Sequence, residues 1–316
     1  MTFYPDWQVL PQSQSGLGES PFWHPYEHML YWVDIPGCKI FRSNVFMGTT
    51  EVWPLAQNPG FIAPASQGGL VIALRDGLYR ARTWNGLLEL LEPASHDTSR
   101  MRFNDGKCDS VGRLWAGTMV EPQDQNAAEL LCLDRRPYQR PGYSSKVGDA
   151  IIANGLAWSP DSRTMYWADT PAHRVWAWDF DVQTAQLSER RVFHTFAEKP
   201  FGWEPLADPL LASAYAGRPD GAAVDSAGNY WVAMFEGQRI VKLSPSGSVI
   251  AEYATPALCT TMPCFGGADG RTLYITTARV NRGAGELALQ PDAGCVFFTQ
   301  LAASESPGLP VNFYSD

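Results

Sequence analysis

The chain has 316 residues, 45% of them hydrophobic and 18% charged, with a formal net charge of −9, so there is ample apolar material for a large core. No run of Lys or Arg occurs, which argues against nucleic acid and anionic membrane as partners. Twelve Trp, 28 Gly and 24 Pro favour many short strands and turns over long helices.

From the N-terminus, MTFYPDWQVLPQSQSG carries neither a basic leader nor an apolar segment, and no later window approaches a membrane span. The expected location is the cytoplasm. A repeating unit then begins: a polar turn with Asp, Gly or Ser, a short apolar or aromatic strand, and small residues. It recurs as HPYEHMLYWVDI, SQGGLVIALRDGLYRA, CDSVGRLWAGTM, WSPDSRTMYWADT, VDSAGNYWVAM and GGADGRTLYITTA. Anchored on Trp32, Ile72, Trp115, Trp167, Trp231 and Tyr274, the copies fall 40 to 64 residues apart. Radial repeats of four-stranded sheets have roughly 40–50 residues per unit.

Between the copies lie further strands, at 39–44, 86–93, 130–136, 174–181, 238–245 and 295–301. The expected fold is all-β: one domain over 1–316, a six-bladed β-propeller of four-stranded blades. N-terminal strands are expected to complete the last blade, because a closed ring removes exposed edges. The longest interval contains an insertion at about 196–217, with a short helix expected around Asp208–Ala216. Long apolar loops of this kind often act as lids.

Four polar residues stand out: Glu19 in GLGESPFW, Asn104 in RFNDGK, Asn154 in IIANGLAW and Asp220 in RPDGAAVD. Each stands just ahead of the first apolar strand of a blade. In a propeller those strand ends face the central channel, so the four side chains are expected to converge there. Carboxylate and amide oxygens suit a hard divalent cation, and Zn²⁺ also accepts carboxylate. Singly, Asn104-Asp105-Gly106, Asn154-Gly155 and Asp220-Gly221 are ordinary turn sequences. Recurrence at one place in successive repeats is what gives them weight.

Competing architectures are missing: there is no G-x-S-x-G elbow, H-E-x-x-H helix or G-x-G-x-x-G loop. The five His do not cluster; His24 reads as a turn residue. The six Cys are scattered and are expected to be reduced and mostly buried.

The ordered set GLGESPFWHP, RFNDGKCDSVGRLWAGTM, NGLAWSPDSRTMYWADT, RPDGAAVDSAGNYWVAMF and CFGGADGRTLYITTAR resembles the SMP-30/gluconolactonase/regucalcin family, from about residue 15 to 300. The resemblance implies a six-bladed propeller with one divalent metal in its central channel and a sugar lactone as substrate. Carried over residue by residue, it implies Glu19, Asn154 and Asp220 as metal ligands. Arg102, Asn104 and Glu121 become substrate contacts, and Asp220 also the general base on water. Ca²⁺, Zn²⁺, Mn²⁺, Mg²⁺ and Fe(II) all remain open, as does a monomer or weak homo-oligomer. Two other readings stand beside the lactonase: a promiscuous ester or phosphotriester hydrolase, and a non-catalytic calcium- or ligand-binding propeller. After assignment of the site, Asp105 and Lys107 read as turn and packing residues.

Overall fold

Burial falls off from strand to strand within each repeat, and this gradient sets the architecture. In the first blade Gly18–His24 and Met29–Asp34 are almost wholly buried, Lys39–Asn44 is half so, and Thr49–Pro54 is mostly exposed. Such a four-strand unit packs inside out, its most apolar strand innermost. The computed structural model describes residues 1–134, 142–205 and 215–316. It contains six antiparallel four-stranded blades.

The second blade comprises Pro59–Pro64, Leu70–Leu74, Gly77–Ala81 and Leu88–Pro93. The third comprises Met101–Cys108, Leu114–Val120, Ala128–Leu133 and Tyr143–Ala150. The fourth comprises Ala153–Trp158, Thr164–Asp169, Arg174–Asp181 and Gln186–Thr195, and the fifth Arg218–Val224, Tyr230–Phe235, Arg239–Leu243 and Val249–Ala254. The sixth has Thr260–Gly266, Thr272–Thr277 and Phe297–Gln300, and takes its outer strand, Gln8–Val9, from the N-terminus. That pairing closes the ring as expected. Thr2–Phe3 adds a parallel edge strand to the fifth blade. The inner strands pack in unbroken succession from the first blade round to the sixth and back.

The anchors of the sequence repeat lie within the second strands, all at most 2% exposed. In the third blade Asp109 accepts hydrogen bonds from the N–H groups of Val111 and Arg113 and from the Trp115 indole. In the fifth, Asp225 does the same for Ala227, Asn229 and Trp231. The D-S-x-G-x-x-W spacing thus lets one buried carboxylate cap a turn and orient the Trp that fills the space between blades.

The expected helix at Asp208–Ala216 lies almost entirely outside the described residues. Trp203, ahead of it, and Tyr215, within its expected range, are buried against each other with ring centroids 5.0 Å apart. The one α-helix among the described residues is Ala284–Leu289. No helix among them is long and apolar enough to cross a membrane. All six cysteines are free thiols, five of them buried.

Candidate functional site

The site is built by a device invisible in the residue pattern. In every blade the pairing of the innermost strand with its neighbour slips by one residue, at Glu19/Phe22, Pro59/Phe61, Phe103/Gly106, Asn154/Ala157, Pro219/Ala222 and Thr260/Met262. Each slip is a β-bulge, which bends the strand and re-aims the side chains on it. Glu19, Asn104, Asn154 and Asp220 therefore lie within the inner strands, at their bulges, and not in turns ahead of them as the sequence suggested. A turn composition such as Asn-Asp-Gly also suits a bulge, because both need unusual backbone angles. Gly155 has φ +61°, and a Cβ there would stand 2.3 Å from the Tyr230 hydroxyl. That hydroxyl donates to the Gly155 carbonyl at 2.7 Å. The Glu19 bulge is pinned to the second blade through Ser20, whose hydroxyl accepts from the Ile62 N–H at 3.0 Å.

A hydrogen-bond chain links three blades. Arg102 Nη1 donates to Asn104 Oδ1 at 2.8 Å and to the Phe103 carbonyl. Asn104 Nδ2 donates to the Ala153 carbonyl and to Asn154 Oδ1, both at 2.9 Å. Asn154 Nδ2 donates to Thr170 Oγ1 at 2.8 Å, and the Thr170 hydroxyl donates to the Pro219 carbonyl at 2.7 Å. Because the Thr170 proton is committed to Pro219, its oxygen must accept from Asn154. That fixes the Asn154 amide and leaves its Oδ1 a lone pair beyond the bond from Asn104. Both Asn104 amide protons are likewise committed.

The electrostatics are severe. Burial raises the Glu19 carboxyl well above the usual carboxylate range, and the charges of Asp220 and Asp105 raise it further. Burial, then Asp105, pushes Asp220 up to about 8. Asp105, read from the sequence as a turn or packing residue, is a strand residue only 6% exposed. Its Oδ2 accepts from the Leu156 N–H at 3.0 Å, while Oδ1 is buried with no partner. Burial raises its proton affinity too, with Lys107 opposing. Lys107, half-buried in the same strand, donates to the Ala222 carbonyl. Burial brings the Arg102 guanidinium down to about 10, with Glu121 and Glu19 opposing.

Glu121 stands at the rim, 37% exposed in its side chain. Arg75 holds it with two hydrogen bonds of 2.8 Å, and Arg102 Nε lies 3.8 Å away. The Arg75 hydrogen bonds, first of all, hold the Glu121 carboxyl below the usual carboxylate range. Arg75 comes from the turn of the second blade, and nothing in the sequence tied it to Glu121. Arg218 was also missed; it opens the strand that carries Asp220. His96 lies edge-on to Phe103 at 4.8 Å, and burial lowers its basicity.

Three carboxylates, Asp105 and Asp220 buried and Glu19 half-buried, with Asp105 raising the proton affinity of Asp220 and both raising that of Glu19, fit a divalent cation, which would replace repulsion with attraction. The orphaned Asp105 Oδ1 adds to that fit. No group of three or more His, Cys, Asp or Glu among the described residues is arranged to hold a metal by itself. The oxygen donors on offer are mixed: the carboxylates of Glu19 and Asp220 and the amide of Asn154.

Residues 17–279 match the family model described as the SMP-30/Gluconolactonase/LRE-like region. A 6-deoxy-6-sulfogluconolactonase of Pseudomonas putida is 39% identical over 287 residues, 91% of this chain and 92% of that protein. A regucalcin of Danio rerio is 32% identical, over 90% of this chain and 91% of that protein. Among solved structures, a calcium-binding regucalcin of Agrobacterium tumefaciens superposes with a TM-score of 0.87 at 25% identity, covering 99% of each chain.

Proposed function

The chain belongs to the SMP-30/gluconolactonase/LRE-like family and is a lactonase, and we propose that it opens sugar lactones of the gluconolactone type to aldonic acids with the help of one divalent cation. The observation that carries this reading is the set of bulges at Glu19, Asn154 and Asp220, on three blades, with the carboxylates of Glu19, Asp220 and Asp105 near enough to disfavour ionisation. The calcium-binding neighbour supports a cation there.

Glu19, Asn154 and Asp220 would hold the cation, which when bound polarises the lactone carbonyl and makes a neighbouring water more acidic. Asp220 takes a proton from the attacking water as the new carbon–oxygen bond forms. Arg102, buried and aimed by Asn104, offers its remaining N–H donors to the negative charge that develops on the carbonyl oxygen. When the ring carbon–oxygen bond breaks, Asp220 returns the proton to the departing alkoxide. Arg102 then faces the product carboxylate. The free oxygen lone pairs of Asn104 and Glu121 accept from sugar hydroxyls.

The test is initial rates by pH-stat across a panel of aldonolactones, with and without chelator. Rapid cation-dependent acid release from at least one six- or five-carbon lactone is expected. Faster turnover of simple esters or phosphotriesters than of any sugar lactone would contradict the assignment.

A further inference from the structure

Asp105 and Lys107 take no part in the lactone chemistry above, and they stand two apart on the strand Met101–Cys108. Each reaches the inner strand of another blade. Asp105 Oδ2 accepts from the Leu156 N–H at 3.0 Å, two residues past Asn154. Lys107 Nζ donates to the carbonyl of Ala222, two residues past Asp220. The third and fifth blades are not neighbours in the ring, so this second bond crosses the channel. The pair thus ties together the two strands that supply Asn154 and Asp220.

Lys107 also stands at a boundary. It lines a cavity of about 300 Å³, walled by the later residues of all six inner strands and by residues 309–312. Phe22, Trp23, Met262, Phe265 and Val311 make that cavity largely apolar, and no Asp or Glu is among its described lining residues. The counter-charge of the ammonium therefore comes from the channel side. Asp105 is foremost in favouring the charged amine, ahead of Glu19, and Lys107 in turn favours the Asp105 carboxylate. Asp105 Oδ1 has no hydrogen-bond partner, so the two meet as charges across a gap, in surroundings that screen them little.

Counting charge gives the pair a purpose. Ionised Glu19, Asp105 and Asp220 carry three negative charges, and one divalent cation supplies two positive ones. Arg102 answers first to Glu121. We propose that Lys107 is the built-in counter-cation of Asp105, and that the pair sets the charge of the channel so that a single divalent cation balances it. The inference rests on the reading that Glu19, Asn154 and Asp220 hold a cation. Asp105 then needs no metal of its own, and Lys107 is a positioning residue that fixes both the charge and the strands around the cation.

Calorimetric titration with Ca²⁺, in the absence of any lactone, tests this on the wild type, Asp105→Asn, Lys107→Met and the double variant. Asp105→Asn leaves the ammonium uncompensated near the cation and should weaken Ca²⁺ binding at least tenfold. Adding Lys107→Met should restore most of that loss, because both charges are then gone. Lys107→Met alone should bind Ca²⁺ at least as tightly as the wild type. A double variant as weak as Asp105→Asn, an unweakened Asp105→Asn, or weaker binding in Lys107→Met overturns the inference. Thermal melts in chelator check folding and test the pair without any cation. Lys107→Met leaves three carboxylates facing one another and should melt below the double variant; the reverse order overturns the pairing. If the wild type takes up no Ca²⁺, the cation reading falls, and the melts alone decide for or against the pair.

Discussion

Replacing Asp220 by Asn should stabilise the cation-free protein while abolishing its response to cation. The Asp220 carboxyl moves from 3.8 to about 8 on folding, because burial and then the charge of Asp105 disfavour its ionised form. A carboxyl raised in the folded state contributes stability below its unfolded value, and that contribution is lost as pH rises towards the folded value. At roughly 1.4 kcal/mol per unit, ionised Asp220 costs the cation-free fold on the order of 5 kcal/mol at pH 8 and above. Part of this is shared with Glu19 and Asp105. Asn keeps the size and removes the charge, so a gain of about 2–4 kcal/mol is expected at pH 8, shrinking towards pH 4. For a chain of this length that is an increase of several degrees in Tm, taking roughly 2 °C per kcal/mol. The assay is differential scanning calorimetry in chelator from pH 4 to 9, repeated with saturating Ca²⁺. Burial lowers the basicity of His24, His96 and His173, which adds an opposite slope common to both proteins, so the difference between the curves isolates Asp220. A variant less stable than wild type in chelator at pH 8, or one that still gains stability from Ca²⁺, would refute the electrostatic account.

Three further outcomes follow from individual contacts. Asp109→Ala strips the partner from Arg113, whose side chain is 0% exposed, and should cost about 3–5 kcal/mol, read as a lowered urea midpoint. Thr170→Val breaks the relay that holds the Asn154 amide, and should weaken cation binding by about 10- to 100-fold in a calorimetric titration with little loss of stability. Glu121→Gln gives up a rim ion pair worth less than about 1 kcal/mol, so its effect should appear as a raised KM for polyol lactones with Tm nearly unchanged.

The fold was legible because its physics repeats. Asp109 and Trp115, like Asp225 and Trp231, stand at one spacing, since a carboxylate that caps the turn must also reach the indole. The closure of the sixth blade by Gln8–Val9 followed from the need to remove an edge. The site was only half legible. Glu19, Asn104, Asn154 and Asp220 could be picked out by recurrence, but their setting could not, because a bulge depends on pairing with another strand and leaves only a turn-like composition. For the same reason Asp105 passed for a turn residue, although its carboxylate lies among the site's charges. Arg75 and Arg218 depend on partners in the folded chain, Glu121 across two blades and Phe235 across one hairpin, and no local pattern announces either.

The central claim is that one cation held by Glu19, Asn154 and Asp220 is required for lactone opening. The most direct measurement titrates Ca²⁺ or Mn²⁺ into chelator-stripped protein while gluconolactone hydrolysis is followed by pH-stat, with Asp220→Asn in parallel. Activity should rise from near zero and saturate at one equivalent per chain, and the variant should neither bind cation at that site nor turn over. Full activity in the stripped protein, or undiminished cation-dependent turnover in Asp220→Asn, would contradict the account.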